Sequence, residues 1–139
     1  MIIIKNPTVV ETEKNKVRQY CEIEIESDVK KIWFEVDSKY KEYLVTDRAD
    51  AYVIGLLNYA MRNNHDIKCD IPVTDELLYN LNEVLILMLA KYSSNLNKIK
   101  INAKPIKPLK SGEHVGTGCS CGIDSFYSIK THRHNILSL

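Results

Sequence analysis

Apolar and polar residues alternate in several stretches of the first hundred residues. Between residues 19 and 26, Cys21, Ile23 and Ile25 fall on one side and three glutamates on the other, which is the pattern of a half-exposed strand. The same alternation recurs at residues 32–36, 67–71 and 98–103. A turn at residues 27–28 joins the first two stretches, which predicts a β-hairpin.

Two longer stretches have helical spacing. We expect one helix to begin at an Asp47 N-cap and to run to about Asn63, apolar around most of its circumference and therefore largely buried. We expect a second helix to begin at a Thr74 N-cap and to end near Lys91. Its apolar face contains Leu77, Leu81, Val84, Leu85, Met88 and Leu89. Strands and helices together predict an α+β fold, a mainly antiparallel sheet with two helices packed on one face.

The composition changes after this domain. Residues 104–113 contain two prolines and three lysines, so we predict a solvated linker there. Residues 1–103 then form the α+β N-terminal domain. Residues 114–139 form a separate, glycine-rich segment, which we expect to be the start of an incomplete second domain.

The overall composition is ordinary for a globular protein. The 139 residues are 45% hydrophobic and 27% charged, with a formal net charge of +1 at pH 7, which excludes a general attraction to polyanions. No apolar run is long enough to span a membrane, and the N-terminal MIII run lacks a signal-peptide pattern. We therefore expect a cytoplasmic protein with no membrane and no nucleic-acid partner. Its cysteines are expected to be reduced, with Cys21 and Cys69 in the core.

The segment GTGCSCGIDSFYS, residues 116–128, combines three glycines, two cysteines and an Asp-Ser pair. We expect a strand at residues 115–119, a loop at 120–125 and a helix from Phe126. Glycines let the backbone turn with positive φ, and the amides at a helix N-terminus favour an anion. The pattern is typical of a phosphate site, although the endings of the nucleoside-triphosphate P-loop and of the dinucleotide fingerprint are absent.

The order Ser-x-Gly-x-Asp-Ser resembles the pyrophosphate-binding loop of the N-type ATP pyrophosphatases, the PP-loop superfamily, whose motif is Ser-Gly-Gly-x-Asp-Ser. Ser120, Gly122, Asp124 and Ser125 match it position by position, and Cys121 stands at the motif's first glycine. The stretches ADAYVIGLLNYAMRNN and DIPVTDELLYNLNEVL also look like the N-terminal region of bacterial PP-loop proteins. The resemblance touches most of the chain, and its specific part is the loop.

In that superfamily ATP is cleaved between its α and β phosphates. A substrate oxygen is adenylated, pyrophosphate leaves, and an amine, ammonia or sulfur nucleophile displaces AMP. The resemblance implies ATP and Mg²⁺ as cofactors, a small-molecule substrate, and a nucleotide-binding loop of Ser120, Cys121, Gly122, Ile123, Asp124 and Ser125. By the same resemblance, Ser120, Gly122 and Ser125 hold the departing pyrophosphate. Asp124 is the implied catalytic residue, which orients the loop or helps to place Mg²⁺.

Two features predict that these 139 residues are inactive alone. Cys121 adds a side chain where glycine lets phosphate approach the backbone, and a positive φ there would cost about 1–2 kcal/mol. A PP-loop domain holds adenine and the second substrate with further strands and helices. In these 139 residues, only the segment after Ser125 could form them. We therefore expect the N-terminal part of a PP-loop ATP pyrophosphatase-like protein. The alternative is a non-catalytic remnant or interaction domain, with a homo-oligomer or another partner covering the C-terminal segment.

A small zinc-binding protein is a weaker alternative. Candidate ligands occur at His114, Cys119, Cys121, His132 and His134, but Cys-x-Cys and His-x-His are not the usual zinc spacings, so we predict no metal site. A nearby histidine also does not make Cys119 or Cys121 a catalytic nucleophile. Trp33 and the tyrosines after it alternate with lysines, but acidic residues interrupt that charge, so we interpret the stretch as a solvated sheet edge.

Overall fold

A computed structural model describes residues 1–13, 15–110, 115, 116, 118, 120–132 and 136–138. The backbone divides into two compact units, Met1–Pro108 and Leu109–Leu139. None of the helices in the described ranges has both the length and the apolar character needed to cross a membrane.

The secondary structure is as follows. In the first unit the strands are β1 (Ile2–Ile4), β2 (Thr8–Thr12), β3 (Lys16–Ile25), β4 (Asp28–Asp37), β5 (Ile67–Cys69), β6 (Val73–Thr74), β7 (Ile101–Asn102) and β8 (Pro105–Ile106). Its helices are α1 (Asp50–Arg62), α2 (Asp75–Tyr79) and α3 (Ile86–Tyr92), with a 3₁₀ segment at Ser38–Tyr43 and a π-helical segment at Asn80–Leu85. The second unit contains β9 (Val115–Gly116), α4 (Ile123–His132) and β10 (Ile136–Ser138).

The long strand β3 is the centre of a six-stranded sheet. β4 pairs with it antiparallel along its whole length, while β1 and β2 pair antiparallel with the two halves of its other edge. β5 then runs parallel to β1, and β7 runs parallel to β5. The predicted α+β class with a mainly antiparallel sheet is confirmed, and the predicted hairpin is the β3–β4 pair.

The sheet and the helices of the first unit share one core. Its buried side chains come from the sheet (Ile2, Ile4, Cys21, Ile23, Ile67, Cys69, Ile101), from α1 (Tyr52, Val53, Leu56, Leu57, Ala60, Met61) and from the later helical stretch (Leu81, Ile86). Both helical stretches therefore bury their apolar sides in the same cluster as one face of the sheet. The predicted core positions Cys21 and Cys69 are confirmed.

The helix starts differ from the predicted caps. α1 begins at Asp50 with Ala49 as its N-cap residue, while Asp47 pairs with Arg48, Oδ1 to Nε at 3.0 Å. Thr74 does precede α2, but its hydroxyl bonds to the Asp50 carboxylate and not to an amide of its own helix. The predicted Asp47 N-cap is wrong. Thr74 is the N-cap residue of α2 as predicted, but its side chain makes no capping bond because its hydroxyl has a partner outside that helix.

The predicted second helix contains a π-helical turn. Helical structure is continuous from Asp75 to Tyr92, with the wider turn at Asn80–Leu85. In that turn the Asn82 amide faces β7 and bonds to both backbone groups of Ile101. Its Nδ2 donates to the carbonyl at 3.0 Å, and the Ile101 N–H donates to its Oδ1 at 2.9 Å. The Asn82 side chain thus satisfies the backbone groups of Ile101 that a further strand would otherwise bind.

Five short strands were absent from the sequence-based interpretation: β1, β2, β6, β8 and β10. The N-terminal isoleucines form β1, and residues 8–12 form β2. Inside the predicted linker, β8 pairs in parallel with β6, and the Lys107 carbonyl accepts a bond from Arg48 Nη1 at 3.2 Å. Residues 104–108 therefore belong to the first unit, and the predicted linker starts too early.

The second unit is a β-α-β arrangement. β9 and β10 pair in parallel, and α4 lies between them in the chain. Parallel neighbours require such a crossover connection. The predicted order of strand, loop and helix is present, but the helix begins at Ile123, ahead of the expected Phe126.

Candidate functional site

The hydroxyl of Ser125 organises the loop at residues 120–125. It accepts a hydrogen bond from the Gly122 N–H at 3.1 Å and donates one to the Gly122 carbonyl at 2.9 Å. The Ser120 hydroxyl lies 3.4 Å from it. Ser125 is buried, with 7% of its surface exposed. The third residue of α4 therefore closes the turn that leads into the helix, in the manner of a capping box.

The first turn of α4 presents backbone donors. Its first intrahelical bond runs from the Phe126 N–H to the Gly122 carbonyl at 3.1 Å. The N–H groups of Ile123, Asp124 and Ser125 precede that bond and have no acceptor within the helix. Together with the helix dipole, they form a positive end that suits an anion.

The loop contains one strained residue. Cys121 has φ of 57°, in the left-handed region, whereas no glycine among the described residues has a positive φ. A Cβ added to Gly122 would lie 3.6 Å from the Ser120 hydroxyl, an ordinary contact. The position that needs glycine is therefore 121, which is also the position where the resembled motif has its first glycine. The left-handed conformation costs a cysteine about 1–2 kcal/mol.

Asp124 lies exposed in the first turn of α4. A carboxylate at this end of a helix interacts favourably with the dipole. Mg²⁺ at nucleotide sites takes one or two carboxylates and completes its shell with phosphate oxygens and water. A single exposed carboxylate beside the amides of the first helical turn fits that ligand set.

The candidate zinc ligands are only partly covered by the structure. Cys121 is exposed and unbridged, and His132 ends α4. His114, Cys119 and His134 lie outside the described residues. Within the ranges that are described, no three acidic, cysteine or histidine side chains come together as a metal site. The prediction of no metal site stays a prediction.

The buried thiols of Cys21 and Cys69 are unsuited to nucleophilic catalysis. Burial raises the pKa of Cys21 to about 11 and that of Cys69 to about 12. The Cys21 thiol also donates to the Lys5 carbonyl at 3.0 Å. Both side chains are therefore protonated at neutral pH and inert as nucleophiles.

A buried arginine was missed by the sequence interpretation. Arg48, 7% exposed, binds Asp47 through two nitrogens and also donates to Thr74 Oγ1 at 3.2 Å. With its bond to the Lys107 carbonyl, it connects the start of α1 to β6 and to the residue after β8. Its role is to hold the end of the first unit in place. An arginine beside a helix start gives no distinctive signal in sequence.

Comparisons with protein-family models, with curated proteins and with solved structures found no match for this chain.

Proposed function

We propose that this chain is the N-terminal part of a PP-loop ATP pyrophosphatase-like protein, in which the loop at residues 120–125 binds the pyrophosphate end of ATP. The observation that carries the proposal is the arrangement of Ser120, Gly122, Asp124 and Ser125. They form a tight turn between β9 and the first turn of α4, with the left-handed residue at 121. The proposed activity is ATP-dependent adenylation of a small molecule with release of pyrophosphate.

The loop supplies charge neutralisation and orientation in this proposal. The free amides at the start of α4 bind the β and γ phosphates, where negative charge develops as pyrophosphate leaves. Asp124 is the residue that would hold Mg²⁺, which would supply positive charge against the negative charge of the phosphates. The adenine and the acceptor substrate bind to parts of the fold beyond this loop.

The same geometry also favours a second candidate, a non-catalytic interaction domain. The Ser125 hydroxyl and the Gly122 N–H bond to each other and not outward, so phosphate must compete with an internal bond. Cys121 also keeps a side chain at the position where glycine would leave the backbone accessible. Each feature weakens phosphate binding, and in this candidate nucleotide binding is absent.

Calorimetric titration of the 139-residue chain distinguishes the candidates. With Mg²⁺ present, we expect weak binding of pyrophosphate and no tighter binding of ATP, because only the phosphate contacts are on this loop. We expect no pyrophosphate release from ATP. Asp124→Ala should remove the dependence of binding on Mg²⁺, whereas Asp28→Ala, an exposed aspartate in the first unit, should not.

A complete lack of pyrophosphate binding would favour the interaction domain. Tight ATP binding would show that the loop does not work by phosphate contacts alone. Stoichiometric zinc, lost on changing both Cys119 and Cys121 to serine, would replace the nucleotide site with a metal site.

A further inference from the structure

The β7 edge of the six-stranded sheet cannot pair with another strand. β7 is two residues long, and the backbone N–H and C=O of Ile101 are both bonded to the Asn82 side chain. Short length and occupied hydrogen-bonding groups are the usual means by which proteins prevent an edge strand from pairing with another chain. A further strand cannot add at this edge.

β4 forms the opposite edge, and this edge is open. It is ten residues long, and among the described residues no backbone group pairs with its outer side. The hairpin closes over Glu26 and Ser27 onto the pair Ile25–Asp28. In a two-residue hairpin this closing pair exchanges both hydrogen bonds. The even-numbered residues of β4 therefore direct their N–H and C=O groups to β3, and the odd-numbered residues direct theirs outward.

The middle of this edge is apolar. Trp33 is 55% exposed and Phe34 is 38% exposed, on opposite faces of the strand. The Arg18 guanidinium stacks on the Trp33 ring at 4.1 Å, which holds the indole against the sheet. Within the described part of the six-stranded sheet, the outer edge of β2 is another edge with no strand paired to it. It has five residues, and its one charged side chain, Glu11, already pairs with Lys41.

β4 is complementary to itself in an antiparallel arrangement centred on Trp33. A two-fold axis through Trp33, normal to the sheet, places Lys31 opposite Glu35 of a second copy on each side of a Trp33–Trp33 pair. Ile32 comes opposite Phe34 on the other face. The residues with outward backbone groups face each other in this register, which provides about ten inter-chain hydrogen bonds.

The two registers displaced toward the turn are less favourable. An axis at Lys31 would place the two ammonium groups opposite each other, and like charges in that position destabilise a sheet. An axis at Ile32 would place Lys31 opposite Trp33 and leave Glu35 opposite Val29.

The Lys31 side chain is 57% exposed while it contacts Glu22 at 3.3 Å, so its ammonium group remains accessible to a second carboxylate. Glu35 already contacts Arg18 at 3.0 Å and Lys16 at 3.6 Å within its own chain, and its side chain is 20% exposed. Lys31 of the second copy therefore joins an existing ionic network at Glu35.

We propose that this chain forms a two-fold symmetric homodimer in which the β4 edges of two copies pair antiparallel about Trp33. The sheet then continues across the interface, with the tryptophan pair at its centre and the Lys31–Glu35 pairs beside it. The proposal does not depend on the function proposed for the loop.

Sedimentation velocity of the full 139-residue chain over a concentration series tests this interface. We expect a dimer for the unaltered chain and a dissociation constant raised roughly 30-fold or more by Trp33→Lys, because a central tryptophan is lost and two ammonium groups meet on the axis. The matched control is Tyr92→Lys, which changes an aromatic side chain that is 78% exposed at the end of α3. The control should remain dimeric.

Charge reversal tests the register. Lys31→Glu should weaken the dimer, because each new carboxylate then lies opposite Glu35 of the second copy. Circular dichroism melting establishes that each variant is folded. A chain that is monomeric up to roughly 100 μM would overturn the proposal, and so would a dimer that Trp33→Lys leaves intact. A folded Lys31→Glu variant that dimerises as tightly as the unaltered chain would overturn the Trp33 register.

Discussion

Substitution of Asn82 tests how much its two hydrogen bonds to the edge strand β7 stabilise the fold. Asn82→Ala removes two hydrogen bonds, those of 3.0 Å and 2.9 Å to the backbone of Ile101. Two neutral hydrogen bonds contribute about 1–3 kcal/mol together, and unsatisfied buried groups add to the loss. Ile101 is only 2% exposed, so water has little access to the groups left behind. We expect the free energy of unfolding to fall by about 3 kcal/mol.

Urea denaturation measures this change, with Asn80→Ala as the control. Asn80 lies in the same π-helical segment but is exposed, so its loss should change the free energy of unfolding by less than about 0.5 kcal/mol. Equal effects of the two changes would refute the reasoning, because the contact with Ile101 would then contribute nothing specific to stability.

A second variant separates donor from acceptor. Asn82→Asp keeps the shape and the acceptor for the Ile101 N–H, but an ionised carboxylate cannot donate to the Ile101 carbonyl. The protonated acid can donate, so folding raises the pKa of the introduced carboxyl. The stability deficit of this variant relative to the unaltered chain should therefore be smallest below the unfolded-state pKa of the introduced carboxyl and grow as the pH rises through its raised folded-state pKa. A variant whose deficit relative to the unaltered chain is the same at every pH would contradict this role for the donor.

Three further predictions concern strained and buried residues. Glu26 has φ of 58° in the β3–β4 turn, so Glu26→Gly should raise the free energy of unfolding by up to about 1 kcal/mol in urea titrations, and a loss would contradict the strain. Cys121→Gly should tighten pyrophosphate binding several-fold in calorimetry while Cys121→Ala, which keeps a Cβ, should not; equal gains would assign the effect to the sulfur. Burial raises the pKa of Cys21 to about 11 and that of Cys69 to about 12, above the ordinary 9.0. The contribution of these two thiols to the free energy of unfolding should therefore be constant below about pH 9, and the free energy of unfolding should fall from there to about pH 12; a constant value over that range would contradict it.

The sequence predicted those strands and helices whose apolar residues recur at a regular spacing. Alternation identified β3 and β4, and helical spacing identified α1 and the stretch from Asp75 to Tyr92. β1 was missed because three consecutive isoleucines show no alternation, and a buried strand of that kind cannot be distinguished from buried helix by period. β8 was missed because proline disfavours a ladder, yet its pairing with β6 occurs at a strand of two residues.

The candidate site was only partly predictable for a different reason. The residue order at 120–125 predicted a turn before a helix, and the strain at Cys121 was expected if φ is positive there. The bonds between Ser125 and Gly122 depend on where the helix begins, and that boundary is set by three-dimensional capping and not by composition. Asn82 and Arg48 were missed because their partners, Ile101 and Lys107, lie far away in the chain.

Site-resolved NMR titration with magnesium pyrophosphate tests the central claim most directly. In the ¹⁵N-labelled 139-residue chain, we expect shifts of the Ile123, Asp124 and Ser125 amides, weakened by Asp124→Ala and much smaller with magnesium sulfate. Unchanged amides at roughly 10 mM pyrophosphate, or shifts centred on another part of the chain, would contradict the assignment of this loop as the phosphate site.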